Sequence, residues 1–273
     1  MALARERKLA ALALTDHDTV AGLPEAEAAV SSLEPYADGS RLRFIRGVEI
    51  EVAFEPGEFH LLGLDLAPLY GAEGGPASPA ARRLLSALER LGKARDERNS
   101  IILDKAREAG IDISMEELAE AAGGSRPGRP HIAGLLVKHR AARNRQDAFS
   151  RFLAKGRPLY APKECLELEE AMELVRDAGG LAIVAHPLSL FVSWTRLATI
   201  MDGWKELGID GIEAWHPVAK PGQCRRLEKM GRERGFRITA GSDYHGIIRP
   251  ERRLGKTSGG LSIDDSYLAE LSR

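Results

Sequence analysis

Short apolar runs in this chain stop, one after another, at side chains that bind metals. Ala11-Leu12-Ala13-Leu14-Thr15 leads into Asp16-His17-Asp18, Leu181-Ala182-Ile183-Val184-Ala185 into His186-Pro187, and Arg237-Ile238-Thr239-Ala240 into Gly241-Ser242-Asp243-Tyr244-His245. Glu49 follows Arg43-Phe44-Ile45-Arg46-Gly47-Val48, and His60 lies in Phe59-His60-Leu61-Leu62. In a barrel of parallel strands the C-terminal ends meet at one mouth, so residues far apart in sequence can share one cluster of cations. The pattern predicts an α/β fold and a metal-dependent enzyme.

The length of 273 residues suits one α/β barrel, or a barrel interrupted by a smaller unit. Residues 1 to about 66 are expected to run helix, strand, helix, strand, strand, with proline in the first turn of the helix around Pro24-Glu25-Ala26-Glu27. The stretch Gly71 to Pro79 breaks all periodicity and predicts a linker. Helical spacing follows to about 154, with Gly110 as a stop and Ser114-Met115-Glu116-Glu117 as a capped start. Alternation then resumes as helix 168–178, strand 181–185, helix 195–207, strand 211–215, helix 221–234 and strand 236–240. The expected organisation is therefore a first barrel part over 1–77, a helical insertion over 78–158 and a second barrel part over 159–273.

No apolar run approaches the roughly 20 residues that a membrane-spanning helix needs, and the first residues lack the apolar core of a signal peptide. Cys165 and Cys224 have no partner spacing, which argues against a zinc knuckle or a disulfide framework. A cytoplasmic protein is the expectation. The net charge of −1 conceals an asymmetry, because residues 78–158 hold 17 Lys/Arg against 10 Asp/Glu and the remainder holds 22 against 30. A basic unit beside an acidic metal-binding one suits a phosphorylated or polynucleotide substrate; solvated helix faces would give the same count.

The motifs Ala13-Leu14-Thr15-Asp16-His17-Asp18-Thr19, Gly47-Val48-Glu49-Ile50, His60-Leu61-Leu62-Gly63, Ala185-His186-Pro187, Gly211-Ile212-Glu213 and Gly241-Ser242-Asp243-Tyr244-His245-Gly246 resemble, in order, those of the PHP (polymerase and histidinol phosphatase) phosphoesterases. The resemblance is nearest to the branch of nucleoside 3′,5′-bisphosphate phosphatases and 5′-to-3′ oligonucleotide exonucleases. It implies a distorted, TIM-like (βα)7 barrel with a helical insertion and up to three divalent ions, often manganese, with iron or zinc accepted by the same donor types. It implies Glu49 as a bridging carboxylate, with His60 and His186 completing one ion site. Asp243 would serve a second ion, and His17 with His245 a third. It further implies metal-assisted hydrolysis of a phosphoester on a nucleotide or short oligonucleotide, with His245 or His216 acting as an acid on the leaving oxygen. Arg129, His131 and Arg157 in the insertion would grip a substrate phosphate.

One family motif has no counterpart. The family opens with a strand carrying His-x-His and then an aspartate, and no His-x-His occurs in this sequence. The expectation is a barrel whose first strand is missing, either because the chain starts late or was trimmed, or because it is a variant with impaired catalysis. The first explanation is favoured, since lost function gives no reason for the other ligands to persist. Self-association through the open barrel edge is expected in either case. A histidinol-phosphate-type phosphatase and a non-catalytic metal- or nucleotide-binding protein are the rival readings.

Overall fold

A computed structural model describes residues 1–123, 126–246 and 249–272. In chain order its elements are α1 (Ala2–Glu6), β1 (Ala11–Leu14), α2 (Leu23–Ser31), β2 (Arg43–Val52), β3 (Phe59–Leu64), α3 (Pro79–Glu108), α4 (Met115–Ala122), α5 (Arg129–Lys138), α6 (Arg145–Ala148), α7 (Leu168–Asp177), β4 (Leu181–Val184), α8 (Trp194–Leu207), β5 (Gly211–Trp215), α9 (Pro221–Glu233), β6 (Arg237–Ala240) and α10 (Ser266–Ala269). Two compact units contain them, residues 1–88 with 165–273, and residues 89–164.

The first unit is built on one sheet in the order β1-β2-β3-β4-β5-β6. Among the described residues it has six strands, with β1 and β6 at its edges, where the resemblance implies a seven-stranded barrel. The expectation of uniformly parallel strands needs correction. β1 pairs parallel with β2, and β4, β5 and β6 pair parallel in turn, but β3 is antiparallel to both β2 and β4. The cause is the short link 53–58 between β2 and β3, because a parallel crossover needs about a dozen residues or more. Reversal brings the start of β3, and hence His60, to the end of the sheet where the parallel strands finish.

Alternation along the strands divides the faces. Val48, Ile50 and Val52 of β2 are buried on one face. On the other, Ile45, Leu62, Leu64, Leu181, Ile183 and Ala185 form a core joined by Leu271, with Leu268 packed against it. Arg237 ties down this C-terminal segment by donating to the carbonyls of Glu270 and Ser272. Continuing along the same face of β2 from Ile45 come Gly47, Glu49 and Glu51, so one face is apolar at its base and ligand-bearing at its upper end.

The second unit is helical. Ile102, Ile113, Leu118, Ile132, Leu136 and Leu153 are among its core residues. Ser114 caps α4 by accepting from the Glu117 N–H, and the left-handed Gly110 (φ 78°) ends the helix before it. Five residues of π-helix, Phe149–Leu153, follow α6.

Candidate metal centre

Glu49 lies at the centre of the ligand-bearing end and is 6% exposed. Its direct partner on β3 is Leu62 and that of Glu51 is His60, so Glu49 and His60 are diagonal neighbours on one face. Their side chains meet, with Nδ1 of His60 2.7 Å from Oε1 of Glu49. His186, which follows β4, brings Nε2 to 3.0 Å from the same oxygen and 3.3 Å from Nδ1 of His60. His17, which follows β1, has Nδ1 3.7 Å from Oε2 of Glu49. Ligand atoms of His17, Glu49 and His60 all lie within 4.8 Å of one another. Imidazoles from three other strand ends therefore converge on one carboxylate.

Several contacts hold these groups in place. The Asp18 N–H donates to the Glu49 carbonyl, and Oδ1 of Asp18 accepts from the Glu51 N–H, which pins the end of β1 to β2. Asp18 is 3% exposed and serves as a latch. Glu51 lies 3.5 Å from Nε2 of His60, so His60 has a carboxylate on each side. The His186 backbone N–H donates to Oε2 of Glu213 at 3.0 Å. A Cβ at Gly241 would collide with that carboxylate, so the site requires glycine there. His186 (φ 28°), Asp18 (φ 52°) and Asp243 (φ 43°) all carry left-handed backbone, a cost that surrounding contacts must sustain.

The donor chemistry fits a cation. The Ser189 hydroxyl lies 2.8 Å from the Glu58 carbonyl and accepts from Nδ1 of His186 at 2.9 Å. With Nδ1 engaged by Ser189, the Nε2 of His186 faces the Glu49 carboxylate oxygen, either with a proton as a hydrogen-bond donor or with a lone pair open to a metal ion. Two acceptors 3.0 Å apart repel unless a proton or a metal ion lies between them. A divalent ion held by Glu49, His60, His186 and His17 would also meet that requirement.

Electrostatics point the same way. Burial alone would raise the Glu49 carboxyl, but the charges of His17 and His60 and hydrogen bonds from both His186 and His60 hold it well below the usual carboxylate range. Burial opposes charge on His60, yet Glu49 outweighs it and raises the imidazole above its ordinary value. In the metal-free chain the His60 contribution to stability is complete below pH 6.5 and is lost as pH rises through the raised value. The Glu49 contribution is present above pH 4.5 and is lost as pH falls through the depressed value. Metal binding needs His60 neutral, so the proton competes up to a higher pH than at a free imidazole. Thermal unfolding with chelator is thus expected to show stability falling from pH 6 to 8, while Mn²⁺ affinity rises over the same range. Parallel trends in the two would contradict this pairing.

Asp243 and His245, which follow β6, form the other wall. The rings of His17 and His245 are 6.2 Å apart, and those of His186 and His216 are 5.0 Å apart. Asp243, an expected ligand, accepts on Oδ2 from Nε2 of His216 at 3.0 Å and pairs there with Arg252. Its Oδ1 lies 3.3 Å from Nδ1 of His245. Burial lowers the pKa of both His216 and His245, with Arg249 adding to the effect at His245. Burial also raises Asp16, against the opposing charges of His17 and His245.

Arg129, His131 and Arg157 lie in the helical unit. His131 closes the start of its own helix, with Nδ1 accepting from the Gly128 N–H at 3.1 Å, and Arg129 stands over the Phe149 ring at 6.0 Å. Sequence reasoning gave no role to Glu213, Arg252, Ser189 or Glu51. Glu213 falls within a quoted motif and could have been found there; the other three have no local signal.

No protein-family profile matches the chain. It is similar to the 5′-3′ exoribonuclease of Haemophilus influenzae, 30% identical over 86% of this chain and 78% of that protein. It is also similar to the 3′,5′-nucleoside bisphosphate phosphatase of Chromobacterium violaceum, 27% identical over 93% and 83%. A third relative, the phosphoribosyl 1,2-cyclic phosphate 1,2-diphosphodiesterase of Eggerthella lenta, is 31% identical over 89% and 86%. Among solved structures, one from Bifidobacterium adolescentis described as a metal-dependent phosphoesterase superposes with a TM-score of 0.76 at 27% identity, covering 98% of this chain and 87% of that one. An amidohydrolase from Chromobacterium violaceum, solved with sulfate and without metal, gives 0.77 at 26% identity over 100% and 90%.

Proposed function

Because the chain belongs to the family of metal-dependent phosphoesterases that includes the 5′-3′ exoribonuclease of Haemophilus influenzae, we propose that it hydrolyses nucleotide phosphoesters, either nucleoside 3′,5′-bisphosphates or short oligonucleotides taken from the 5′ end. The observation that carries this reading is the buried Glu49 oxygen shared by His60 and His186. Glu49, His60, His186 and His17 would hold the ion, with manganese the first candidate and iron or zinc suited to the same donors. A divalent cation bound there supplies Lewis-acid stabilisation of the charge that develops on a phosphoryl group.

The remaining chemistry falls to side chains. His245 gives its Nδ1–H to the Asp243 carbonyl at 2.8 Å, which leaves the lone pair on Nε2. Its lowered pKa keeps it neutral near pH 7, so it is suited to take a proton from an attacking water and then, as an acid, to return it to the leaving oxygen. His216 donates to Asp243 and accepts from the Val218 N–H at 3.3 Å, so both ring nitrogens are engaged and it positions Asp243. Arg129, His131 and Arg157, in the basic helical unit, would grip the nucleotide's second phosphate, and a cytoplasmic setting belongs to the same proposal.

Assays with Mn²⁺ on nucleoside 3′,5′-bisphosphate, 5′-phosphorylated short RNA, a 1,2-cyclic ribosyl phosphate and histidinol phosphate test the substrate class. Turnover of either of the first two is expected. Turnover confined to the cyclic phosphate or to histidinol phosphate overturns the assignment. Arg129→Ala is expected to raise KM about tenfold at nearly constant kcat, the effect of one charge-assisted hydrogen bond made equally in ground and transition states. A loss in kcat instead would place Arg129 at the reacting phosphoryl group.

A further inference from the structure

Arg252 is 8% exposed, and its Nη1 pairs with Oδ2 of Asp243. A buried guanidinium is costly unless carboxylates surround it. Glu49 and Glu213 supply that surrounding, since both act on Arg252 as attractive charges along with the Asp243 contact. Two buried carboxylates and the partly buried Asp243 would in turn repel one another without a cation among them.

Asp243 is already engaged on one carboxylate oxygen. Its Oδ2 receives His216 at 3.0 Å and Arg252, while Oδ1 faces the His245 ring at 3.3 Å. A metal ion docking on this carboxylate would meet the positive charge of a buried guanidinium, where like charges repel more strongly than in water. Arginine cannot relieve the conflict by losing its proton, as a buried lysine can. The Glu49 oxygen, by contrast, carries two imidazole nitrogens that a metal ion can accept as ligands.

We propose that the guanidinium of Arg252 is a resident cation on the Asp243 side of the site and excludes a metal ion from it, so that the chain holds a single tight divalent ion, at Glu49. This rests on the reading of the Glu49 cluster as a metal site. The Asp243 side then works with a side-chain cation in the place where a second metal ion would otherwise be required. The charge balance of the buried carboxylates is met in part by the protein itself.

The test counts bound Mn²⁺ in the full chain by electron paramagnetic resonance after chelation and dialysis. The unaltered chain is expected to bind a single tight equivalent that Glu49→Gln removes. Arg252→Gln should gain a second equivalent, which adding Asp243→Asn removes, whereas Arg252→Lys should stay at one. Should Arg252→Gln fail to fold, Asp243→Asn in the otherwise unchanged chain decides, and its Mn²⁺ count should equal that of the parent. An unaltered chain that binds a second equivalent lost on Asp243→Asn, or a folded Arg252→Gln chain that gains none, overturns the proposal and leaves the Glu49 site standing. A chain that binds no Mn²⁺ overturns both.

Discussion

Replacing Glu49 with Gln is expected to lower kcat by on the order of 10³-fold or more and to strip the bound metal ion. The amide is nearly isosteric, so packing in the 6%-exposed pocket survives while the charge is lost. His60 and His186 both approach Oε1, and His17 faces Oε2, so this one carboxylate is the partner that all three imidazoles share. The metal-free Glu49→Gln protein should also lose the pH dependence of stability that comes from the raised His60, because the partner that raises it is gone. Thermal unfolding of both proteins in chelator from pH 6 to 8 separates this loss of charge from misfolding. Retained turnover would discard Glu49 as the centre of the site.

Glu213→Ala is expected to weaken metal affinity by roughly 10- to 100-fold, although Glu213 reaches the ion's ligands only through the backbone of His186. Its Oε2 receives the His186 N–H, which holds a left-handed residue at the end of β4. Removing this acceptor, itself only 7% exposed, leaves the His186 N–H without its partner, at a cost of about 1–3 kcal/mol. The strained turn is then free to relax, and the His186 ring leaves Glu49. Glu213→Gln retains an acceptor oxygen and should recover most of the affinity. If Ala and Gln behave alike in metal titration, charge and not the hydrogen bond is what Glu213 supplies.

Much of this architecture is legible in the sequence because it is local. The run Ala11 to Leu14, the punctuating Gly110 and the Ser114 cap announce their elements through neighbours a few residues away. The direction of β3 was also encoded, in a link of 53–58 too short for a crossover, but a barrel expectation drawn from the ligand pattern obscured it. Glu49, His60 and His186 could be singled out because chemistry marks their residue types, and the sheet brings them together. The Glu213 bond to His186 spans 27 residues, and the pairing of Arg252 with Asp243 depends on how the segment after β6 folds back. Nothing local in Pro250-Glu251-Arg252-Arg253 distinguishes the buried arginine from its exposed neighbour Arg253.

Anomalous diffraction at the manganese edge, from crystals grown with Mn²⁺, tests directly whether Glu49 and the imidazoles of three other strand ends bind one divalent cation. The predicted result is a peak about 2.0–2.2 Å from a Glu49 oxygen and from ring nitrogens of His60 and His186. A Glu49 still hydrogen-bonded to His60 at 2.7 Å, with manganese absent or bound elsewhere, would contradict it.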